Sequence, residues 1–257
     1  MKGITTNQRR DKTLEMLKER GRVTVSELAE KFDISEVTIR SDLTEMEREG
    51  LLRRVYGGAV SSKRASYEML LNDRMDINKE EKIRVAKACA ELINDGDTLM
   101  VDFGTTIRYL ARELAERSNL TVVTNALLVA QEFVYSRTVN VIMLGGDFDF
   151  QYQFTYGIDA INQLQKYRAD KTILGTDGVG VNHGLTTYHH QEVEVSRLMI
   201  ERSNEVIVVA DYSKIGKEGF SNTTGISSID TLVTNKSDAN KGELDALRAQ
   251  GIVVVEI

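Results

Sequence analysis

The feature that most constrains the fold is a regular alternation of helical and β-rich stretches that begins near residue 79. Apolar residues recur with helical spacing and predict helices over 80–94, 106–117, 126–135, 158–166, 191–203 and 240–250. Short runs rich in β-branched residues predict strands at 98–101, 120–123, 139–144, 172–174, 206–210, 231–233 and 252–255. Such runs between helices are typical of parallel strands buried on both faces. We therefore expect a parallel-sheet α/β domain with helices on both faces of the sheet.

The loops that follow the predicted strands are polar and rich in glycine. In open α/β sheets, ligands bind outside the carboxyl ends of the strands. The first such loop, 102–106, leads into a helix whose N-terminus offers backbone N–H groups and a positive dipole, so it is either an anion cradle or a capping turn. Its polar or flexible members are Asp102, Gly104, Thr105 and Thr106. Comparable loops at 124–125, 145–146, 175–178 and 211–216 predict one shared ligand pocket.

The N-terminal part of the chain contains two short amphipathic helices separated by a break at residues 33–34. Thr24 and Glu27 have the spacing of a capping box, which predicts a helix over 24–32. Its buried face is predicted to consist of Val25, Leu28, Ala29 and Phe32. Ser35 is a suitable N-cap for the second helix. The inward stripe of that helix is predicted to be Ile39, Leu43 and Met46.

The opposite face of the second helix is small, polar and basic. It carries Val37, Ser41, Thr44 and Arg48, with Thr38 and Arg40 on its flanks. Residues 51–58 then predict a hairpin in which Arg53 and Arg54 can meet phosphates. This arrangement is typical of a helix-turn-helix with a basic wing, which fits the major groove of DNA. The alternative, an ordinary three-helix surface domain, explains neither the basic face nor the basic wing.

Charge is divided unevenly along the chain. Residues 1–64 contain 14 Lys and Arg against 11 Asp and Glu, whereas the remainder contains 19 against 28. The formal net charge of −6 therefore does not argue against DNA binding, because the basic excess lies in the N-terminal part.

The run Ser35-x-x-Thr38-Ile39-Arg40-x-Asp42-Leu43, followed by Tyr56-Gly57-Gly58-Ala59, resembles the N-terminal signature of the DeoR family of bacterial transcriptional regulators. The resemblance covers nearly the whole chain. It implies a small winged helix-turn-helix domain at 1–60, a linker at 61–78 and an α/β effector-binding domain at 79–257. By this resemblance, the second domain is similar to ribose-5-phosphate isomerase and commonly binds sugar phosphates. The residues expected to contact DNA are Ser35, Val37, Thr38, Arg40, Ser41, Thr44, Arg48, Arg53, Arg54 and Tyr56.

The resemblance also implies an effector site. The 102–106 loop is expected to hold a phosphate or its substitute, while Asn125, Asp177 and Glu192 meet sugar hydroxyls and Lys214 bonds an anionic or carbonyl oxygen. The full set expected to line the site is Asp102, Gly104, Thr105, Thr106, Asn125, Gly145, Gly146, Asp149, Asp177, Gly178, His189, Glu192 and Lys214.

Two residues depart from the family pattern. Ser41 stands where the family usually has a basic residue, which leaves the base preference open. Asp149 stands where the family usually has Arg, which weakens the case for a highly phosphorylated effector. Asp149 either accepts sugar hydroxyls or belongs to a solvated turn.

Other candidate chemistry is weak. His189 and His190 are adjacent in the sequence and cannot easily face one metal ion together, so neither a metal nor a cofactor is expected. One histidine is expected to line the pocket and the other to be solvated. Cys89 lies among alanines and is expected to be a small core residue.

These observations predict a transcriptional repressor of carbohydrate-utilisation genes that binds double-stranded operator DNA and is relieved by a sugar or sugar-phosphate effector. A homodimer or homotetramer is expected because helix-turn-helix operators are usually paired half-sites. With no long apolar run and a short polar N-terminus, we expect a cytoplasmic protein without a membrane partner. One alternative is a sugar-phosphate isomerase-like enzyme that uses Asp177, Glu192 and Lys214 as acids and bases, with an accessory N-terminal interaction domain. Another is an N-terminal module that binds protein rather than DNA.

Overall fold

The computed structural model describes residues 5–20, 22–48, 51–61 and 71–257. The chain divides into two compact units, residues 1–69 and 70–257. Half of the predicted linker, residues 62–70, lies outside the described residues.

Among its described residues, the N-terminal unit contains three helices and a small antiparallel sheet. Its helices are α1 (Thr6–Arg20), α2 (Val25–Phe32) and α3 (Glu36–Arg48), and its strands are β1 (Arg22–Thr24), β2 (Leu52–Val55) and β3 (Gly58–Ser61). Strands β2 and β3 form the predicted hairpin, which is confirmed. The strand β1, which directly precedes α2, pairs with β3 and gives the sheet order β1-β3-β2. Both predicted helices are confirmed. The sequence did not predict α1 or β1.

The capping box at the start of α2 forms as predicted. The Glu27 backbone N–H donates to Thr24 Oγ1 over 3.2 Å, and the Thr24 N–H donates to Glu27 Oε2 over 3.5 Å. Ser35 Oγ similarly accepts the Thr38 N–H at the start of α3, at 3.2 Å. These bonds satisfy backbone donors that a helix start leaves without intrahelical partners.

The core of the N-terminal unit is apolar, but one buried ion pair fixes α3 against α1. Leu28, Ile39 and Leu43 are almost completely buried. Arg9 of α1 donates from Nη2 to Asp42 Oδ2 of α3 at 2.8 Å, and both side chains are at most 14% exposed. Asp42 therefore has a structural role that its place in the family motif did not reveal.

The second unit is built on a seven-stranded sheet in which every strand pair is parallel. The predicted strands are confirmed with small shifts in their ends. The sheet strands are β4 (Thr98–Val101), β5 (Thr121–Thr124), β6 (Asn140–Met143), β9 (Ala169–Leu174), β12 (Ser203–Val209), β14 (Thr231–Thr234) and β15 (Val253–Glu256). Its smaller strands, which the sequence did not predict, are β7 (Asp147–Asp149), β8 (Phe154–Tyr156), β10 (Gly178–Gly180), β11 (Gly184–Thr187) and β13 (Ser221–Thr224). They form an antiparallel hairpin, β7-β8, and a three-stranded sheet, β10-β11-β13.

Helices cover both faces of the parallel sheet, as predicted. Leu99 and Val101 belong to one core cluster while Met100 belongs to the other, because successive side chains of a strand point to opposite faces. The helices of this unit are α4 (Leu71–Asp76), α5 (Lys79–Ala90), α6 (Thr105–Leu114), α7 (Leu127–Glu132), α8 (Ile158–Leu164), α9 (Val193–Glu201) and α10 (Lys241–Ala249). No helix within the described residues is long and apolar enough to cross a membrane.

The predicted linker is too long at its C-terminal end. Residues 71–78 belong to the second compact unit, where Leu71–Asp76 forms α4. Polar and ionic contacts hold much of this stretch against the rest of the second unit. Its sequence therefore shows no clear apolar period.

The strand order places a topological switch point beside β4. The order is β15-β14-β12-β9-β4-β5-β6, so the chain leaves β4 toward one edge of the sheet and later returns to build the other half from β9. The chain therefore continues toward opposite edges of the sheet after β4 and after β9, and we call the position at the carboxyl ends of these two strands the crevice. This is where ligands bind in open α/β sheets.

Candidate functional sites

The backbones of the two loops that flank the crevice approach each other closely. A Cβ added to Gly175, just after β9, would lie 3.0 Å from the carbonyl oxygen of Phe103, just after β4. The backbone N–H groups of Phe103 and Gly175 both donate to the carboxylate of Asp102. Because Gly175 has no side chain, the loop after β9 can pack closely against the loop after β4 beside Asp102.

Three buried side chains around the crevice carry acceptor atoms without a hydrogen-bond partner among the described residues. These atoms are Asp102 Oδ1, Asn125 Oδ1 and Glu192 Oε2. Buried polar atoms nearly always have hydrogen-bond partners in native proteins. The three acceptor atoms together therefore indicate that a ligand, a bound proton or water supplies the missing donors. Hydroxyl groups would supply the missing donors.

The two carboxyls in this group are poorly solvated. Burial raises the pKa of Asp102 to about 7, even though two backbone N–H groups stabilise its charged form. Burial also raises the pKa of Glu192 well above its usual range, and the nearby charge of Asp102 raises it further. Near neutral pH this pair therefore retains a proton.

Asp177, after β9, is the opposite case, because cations surround it. Burial alone would raise its pKa, but Arg74, Lys214 and His189 together with the backbone N–H of Tyr188 hold that pKa well below its usual range. Arg74 Nη2 lies 2.7 Å from Asp177 Oδ1, and Lys214 Nζ lies 3.8 Å from the same oxygen. Asp177 is therefore a buried carboxylate that keeps two cations at the crevice.

Arg74 is the important residue that the sequence did not reveal. It lies on α4, in the stretch predicted as a linker, and its only sequence signal is a charge within a polar segment. Its Nη1 is 3.4 Å from Nε2 of His189, and its Cζ is 5.7 Å from the ring centroid of Tyr152. The charge of Asp177 offsets the burial that would otherwise lower the pKa of Arg74, so this pKa is raised.

The two histidines occupy different environments. His189 is 3% exposed, and its ring centroid is 3.8 Å from that of Tyr152, whereas His190 is exposed. Burial lowers the pKa of His189 to about 4, so its ring is neutral near pH 7. Among the described residues, no group of three or more His, Cys, Asp or Glu could hold a metal ion.

The 102–106 loop presents a helix start that no side chain caps. Gly104 is the N-cap of α6 with a φ of 132°, which glycine adopts readily, and it has no side chain to bond the first N–H groups. Thr105 and Thr106 open the helix and are buried. Whether this loop acts as an anion cradle or as a capping turn stays a prediction, since most other helices of this unit also begin without a side-chain cap.

Four other predicted effector residues have evident structural roles. Asp149 is half-buried, and its Oδ1 accepts the N–H groups of Gln151 and Tyr152 at 2.9 and 2.8 Å in a turn that positions Tyr152 against His189. The remaining three are glycines that allow close packing. The Gly145 N–H donates to Gln163, whereas a Cβ on Gly146 or Gly178 would approach the carbonyl oxygens of Tyr156 and Lys217 to 2.4 and 2.1 Å.

The outer face of α3 is exposed, as the sequence predicts. Val37 is 73% exposed, in contrast to Ile39, which is 2% exposed. The exposed positions are Ser35, Val37, Thr38, Arg40, Ser41, Thr44, Arg48, Arg54 and Tyr56, while Arg53 is half-buried. These residues form one surface of α3 and the wing.

Hydrogen bonds join the wing to α3. Arg54 Nη1 donates to Thr44 Oγ1 at 2.8 Å, and the Arg54 backbone N–H donates to Glu47 Oε1 at 2.8 Å. Arg40 pairs with Glu36 one turn earlier, at 2.6 Å, but this pair is about half exposed. Such exposed pairs contribute little stability, so a phosphate can replace the glutamate.

Taken together, an exposed helix face that carries arginines, the adjoining wing and a separate α/β unit with a polar crevice define the class of ligand-responsive DNA-binding regulators. Family models support this class for both parts of the chain. Residues 9–65 match a DeoR-like helix-turn-helix domain, and residues 77–236 match the DeoR C terminal sensor domain. The chain belongs to the DeoR family of transcriptional regulators, and therefore to DNA-binding regulators rather than to enzymes.

Curated relatives agree along nearly the full length. The chain is 32% identical to a putative aga operon transcriptional repressor of Escherichia coli O157:H7, over 97% of this chain and 93% of that protein. It is 35% identical to the glycerol-3-phosphate regulon repressor of Escherichia coli K12, over 89% and 90%. It is 30% identical to the transcriptional repressor GlcR of Bacillus subtilis, over 93% and 92%.

Two solved structures align with the chain at low sequence identity. The tetrameric eIF2B-beta2-delta2 complex from C. thermophilum aligns with a TM-score of 0.51 and 13% identity, over 95% of each chain. Ribose 5-phosphate isomerase A from Methanocaldococcus jannaschii aligns with a TM-score of 0.40 and 18% identity, over 54% of this chain and 55% of that one.

Proposed function

We propose that the chain is a repressor that binds its operator through α3 and the wing and is relieved by a sugar or sugar phosphate bound in the crevice between β4 and β9. The observation that carries this proposal is that buried acceptor atoms and partly buried cations occur together at the switch point. Asp102, Asn125 and Glu192 lack donors that hydroxyl groups supply, while Arg74 and Lys214 attract an anionic group. A sugar phosphate carries both kinds of group.

The relatives support the same chemistry. Two of them are named as repressors of the glycerol-3-phosphate regulon and of the aga operon, and a lactose phosphotransferase system repressor of Streptococcus mutans is 33% identical to this chain. A sugar-related effector for this chain is consistent with those names.

The DNA-binding residues follow from exposure and chemistry. Exposed Val37 near the start of α3 can contact a thymine methyl, and Arg40 can contact guanine or a phosphate. Arg48 and Arg54 extend the same surface. Operators for helix-turn-helix proteins are usually paired half-sites, so we propose a homodimer or homotetramer that acts on DNA in the cytoplasm.

The experiment uses the full-length protein and an operator selected from a random duplex library by repeated binding. We expect affinity for that operator to fall steeply as salt rises from 50 to 200 mM, since phosphate contacts release counterions. We expect thermal-shift screening against sugars and sugar phosphates to identify a ligand that raises Tm and changes operator affinity. A ligand at a hundredfold excess over its Kd adds about 2.7 kcal/mol to the free energy of unfolding.

Two results would contradict the proposal. Failure to select any duplex sequence would favour an N-terminal module that binds protein. Interconversion of pentose or hexose phosphates at enzymatic rates would favour the isomerase alternative.

A further inference from the structure

The hydroxyl group of Thr44 on α3 is engaged within the N-terminal unit. Its Oγ1 donates to the carbonyl oxygen of Arg40 at 2.7 Å and accepts a hydrogen from Nη1 of Arg54 at 2.8 Å. A hydroxyl has one proton to donate, so that of Thr44 has none left for a base edge. The Cγ2 methyl is therefore the part of this exposed side chain that can meet DNA.

The wing and the helix together hold Thr44 in this orientation. The bond from Arg54 to Thr44 lies beside a second one, from the Arg54 backbone N–H to Glu47, so β2 is attached to α3 at two nearby positions. The bond from Oγ1 to the carbonyl of the preceding turn fixes the Cα–Cβ rotamer of Thr44. A side chain that is held before binding loses little conformational freedom when it meets a ligand.

Val37 presents a second apolar group on the same face of α3. It precedes Thr44 by seven residues, which is close to two helical turns, so the two Cα atoms are aligned and about 10 Å apart. The side chain of Val37 is largely exposed, and Ser41 between the two positions has a short side chain. The face of α3 thus presents methyl groups at two points that are about three base-pair steps apart along DNA.

The chemistry of this face matches thymine. The C5-methyl of thymine is the only methyl group that the four bases present in the major groove. Contact with an aliphatic side chain removes this methyl from water, which strengthens binding by about fourfold per methyl group. Hydrogen-bonding groups of the other bases would lose water against such a side chain without gaining a partner, so other bases are disfavoured.

We propose that α3 selects thymine at two positions of the operator, one through Val37 and one through the Cγ2 methyl of Thr44. The two thymines lie about three base pairs apart within the stretch that one α3 contacts. This inference rests on the proposed function, since it requires the operator to bind on α3. It assigns base selection to the methyl group of Thr44, while the hydroxyl group holds the wing.

The test uses the full-length protein and the operator selected from the random duplex library. Each thymidine of that operator is replaced in turn by deoxyuridine, which lacks only the C5-methyl. Operator Kd is measured by fluorescence anisotropy for the wild type and for three variants: Val37→Ala, Thr44→Ser and Thr44→Val. Both residues are exposed, so the variants are expected to fold as the wild type does.

The two variants of Thr44 form a matched pair. Thr44→Ser removes the methyl group and keeps the hydroxyl with its bonds to Arg40 and Arg54, whereas Thr44→Val removes the hydroxyl and keeps methyl groups. A role of the methyl and a role of the hydroxyl therefore give opposite results.

In the wild type, we expect deoxyuridine to raise operator Kd about three- to fivefold at each of two positions and by less than about twofold elsewhere. Val37→Ala should remove the effect at one of these positions. Thr44→Ser should remove it at the other, about three base pairs away. Thr44→Val should keep the effect at both positions.

Three outcomes would overturn the inference while operator binding stands. Deoxyuridine without effect at every position in the wild type would show that no methyl group is read. An effect lost in Thr44→Val but kept in Thr44→Ser would assign base selection to the hydroxyl. Effects that persist unchanged in both Val37→Ala and Thr44→Ser would place the methyl contacts on other residues. Failure to select any duplex would instead remove the proposed function, and this inference with it.

Discussion

Two buried carboxyls at the crevice have opposite electrostatic surroundings. Asp177 is paired with Arg74, which together with its other neighbours keeps its pKa low, whereas burial raises the pKa of Asp102 to about 7. A buried acid without a cationic partner lowers stability at neutral pH, so its presence is better explained by ligand binding than by folding.

Replacing Asp102 with Asn should stabilise the protein, and more so at high pH. The folded chain keeps a proton on Asp102 up to about pH 7, whereas the unfolded chain releases it near 3.8, so stability falls as pH rises between these values. Asn carries no charge and can still accept the two backbone N–H groups. We expect Asp102→Asn to raise the free energy of unfolding by roughly 2 kcal/mol at pH 8 and by much less at pH 5, measured by urea denaturation. An equal gain at both pH values would contradict this account of Asp102.

Replacing Asp177 with Asn should have the opposite effect. The pKa of Asp177 is depressed, so its contribution to stability is present above about pH 4 and is lost as pH falls further. The substitution leaves the buried guanidinium of Arg74 without its carboxylate partner, which typically costs about 3–5 kcal/mol. Urea denaturation at pH 7 measures the loss. A neutral result would show that the pair does not hold α4 to the body.

At the scale of elements, the wing depends on a close strand approach that only glycine allows. A Cβ added to Gly58 of β3 would lie 2.0 Å from the carbonyl oxygen of Val23 in β1. Gly58→Ala should therefore separate β1 from β3, destabilise the N-terminal unit by about 1–3 kcal/mol and weaken operator binding.

The control for Gly58 is Gly242 in the first turn of α10, where an added Cβ would meet no atom within 4 Å. Gly242→Ala should stabilise the second unit by up to about 1 kcal/mol and leave operator binding unchanged. Chemical denaturation and anisotropy measure both effects. Wild-type operator affinity in Gly58→Ala would show that the wing strand does not position the DNA-binding surface.

The elements that the sequence predicted are those with strong local patterns. The strands of the parallel sheet are continuous apolar runs, and the capping box of α2 is a fixed spacing of Thr24 and Glu27. The small strands β7, β8, β10, β11 and β13 are three or four residues long and show no clear apolar alternation, and β13 pairs with β11 across a long stretch of sequence. Long separation in the sequence also explains why the role of Arg74 was not predicted, because Arg74 lies 103 residues from its partner Asp177.

At the scale of the whole molecule, the sequence fixes the fold class but not the strand order. The strand-end loops could be recognised as ligand-binding candidates one by one. The switch point between β4 and β9 exists only in the assembled sheet. Asp102 and Asp177 follow these two strands, whereas Gly145 and Asp149 follow the edge strand β6. The proposed function therefore requires two sites of different origin: a helix-and-wing surface formed by residues close in sequence, and a crevice formed by strands distant in sequence.

The most direct test of this two-site account is a pair of substitutions in the full-length protein. Arg40 is exposed on α3, and Lys214 lies 3.8 Å from Asp177 in the crevice. We predict that Arg40→Ala weakens operator binding at least tenfold with effector affinity within twofold of the wild type, and that Lys214→Ala does the reverse. Equal damage to both activities by both substitutions, in proteins with wild-type unfolding temperatures, would contradict the account.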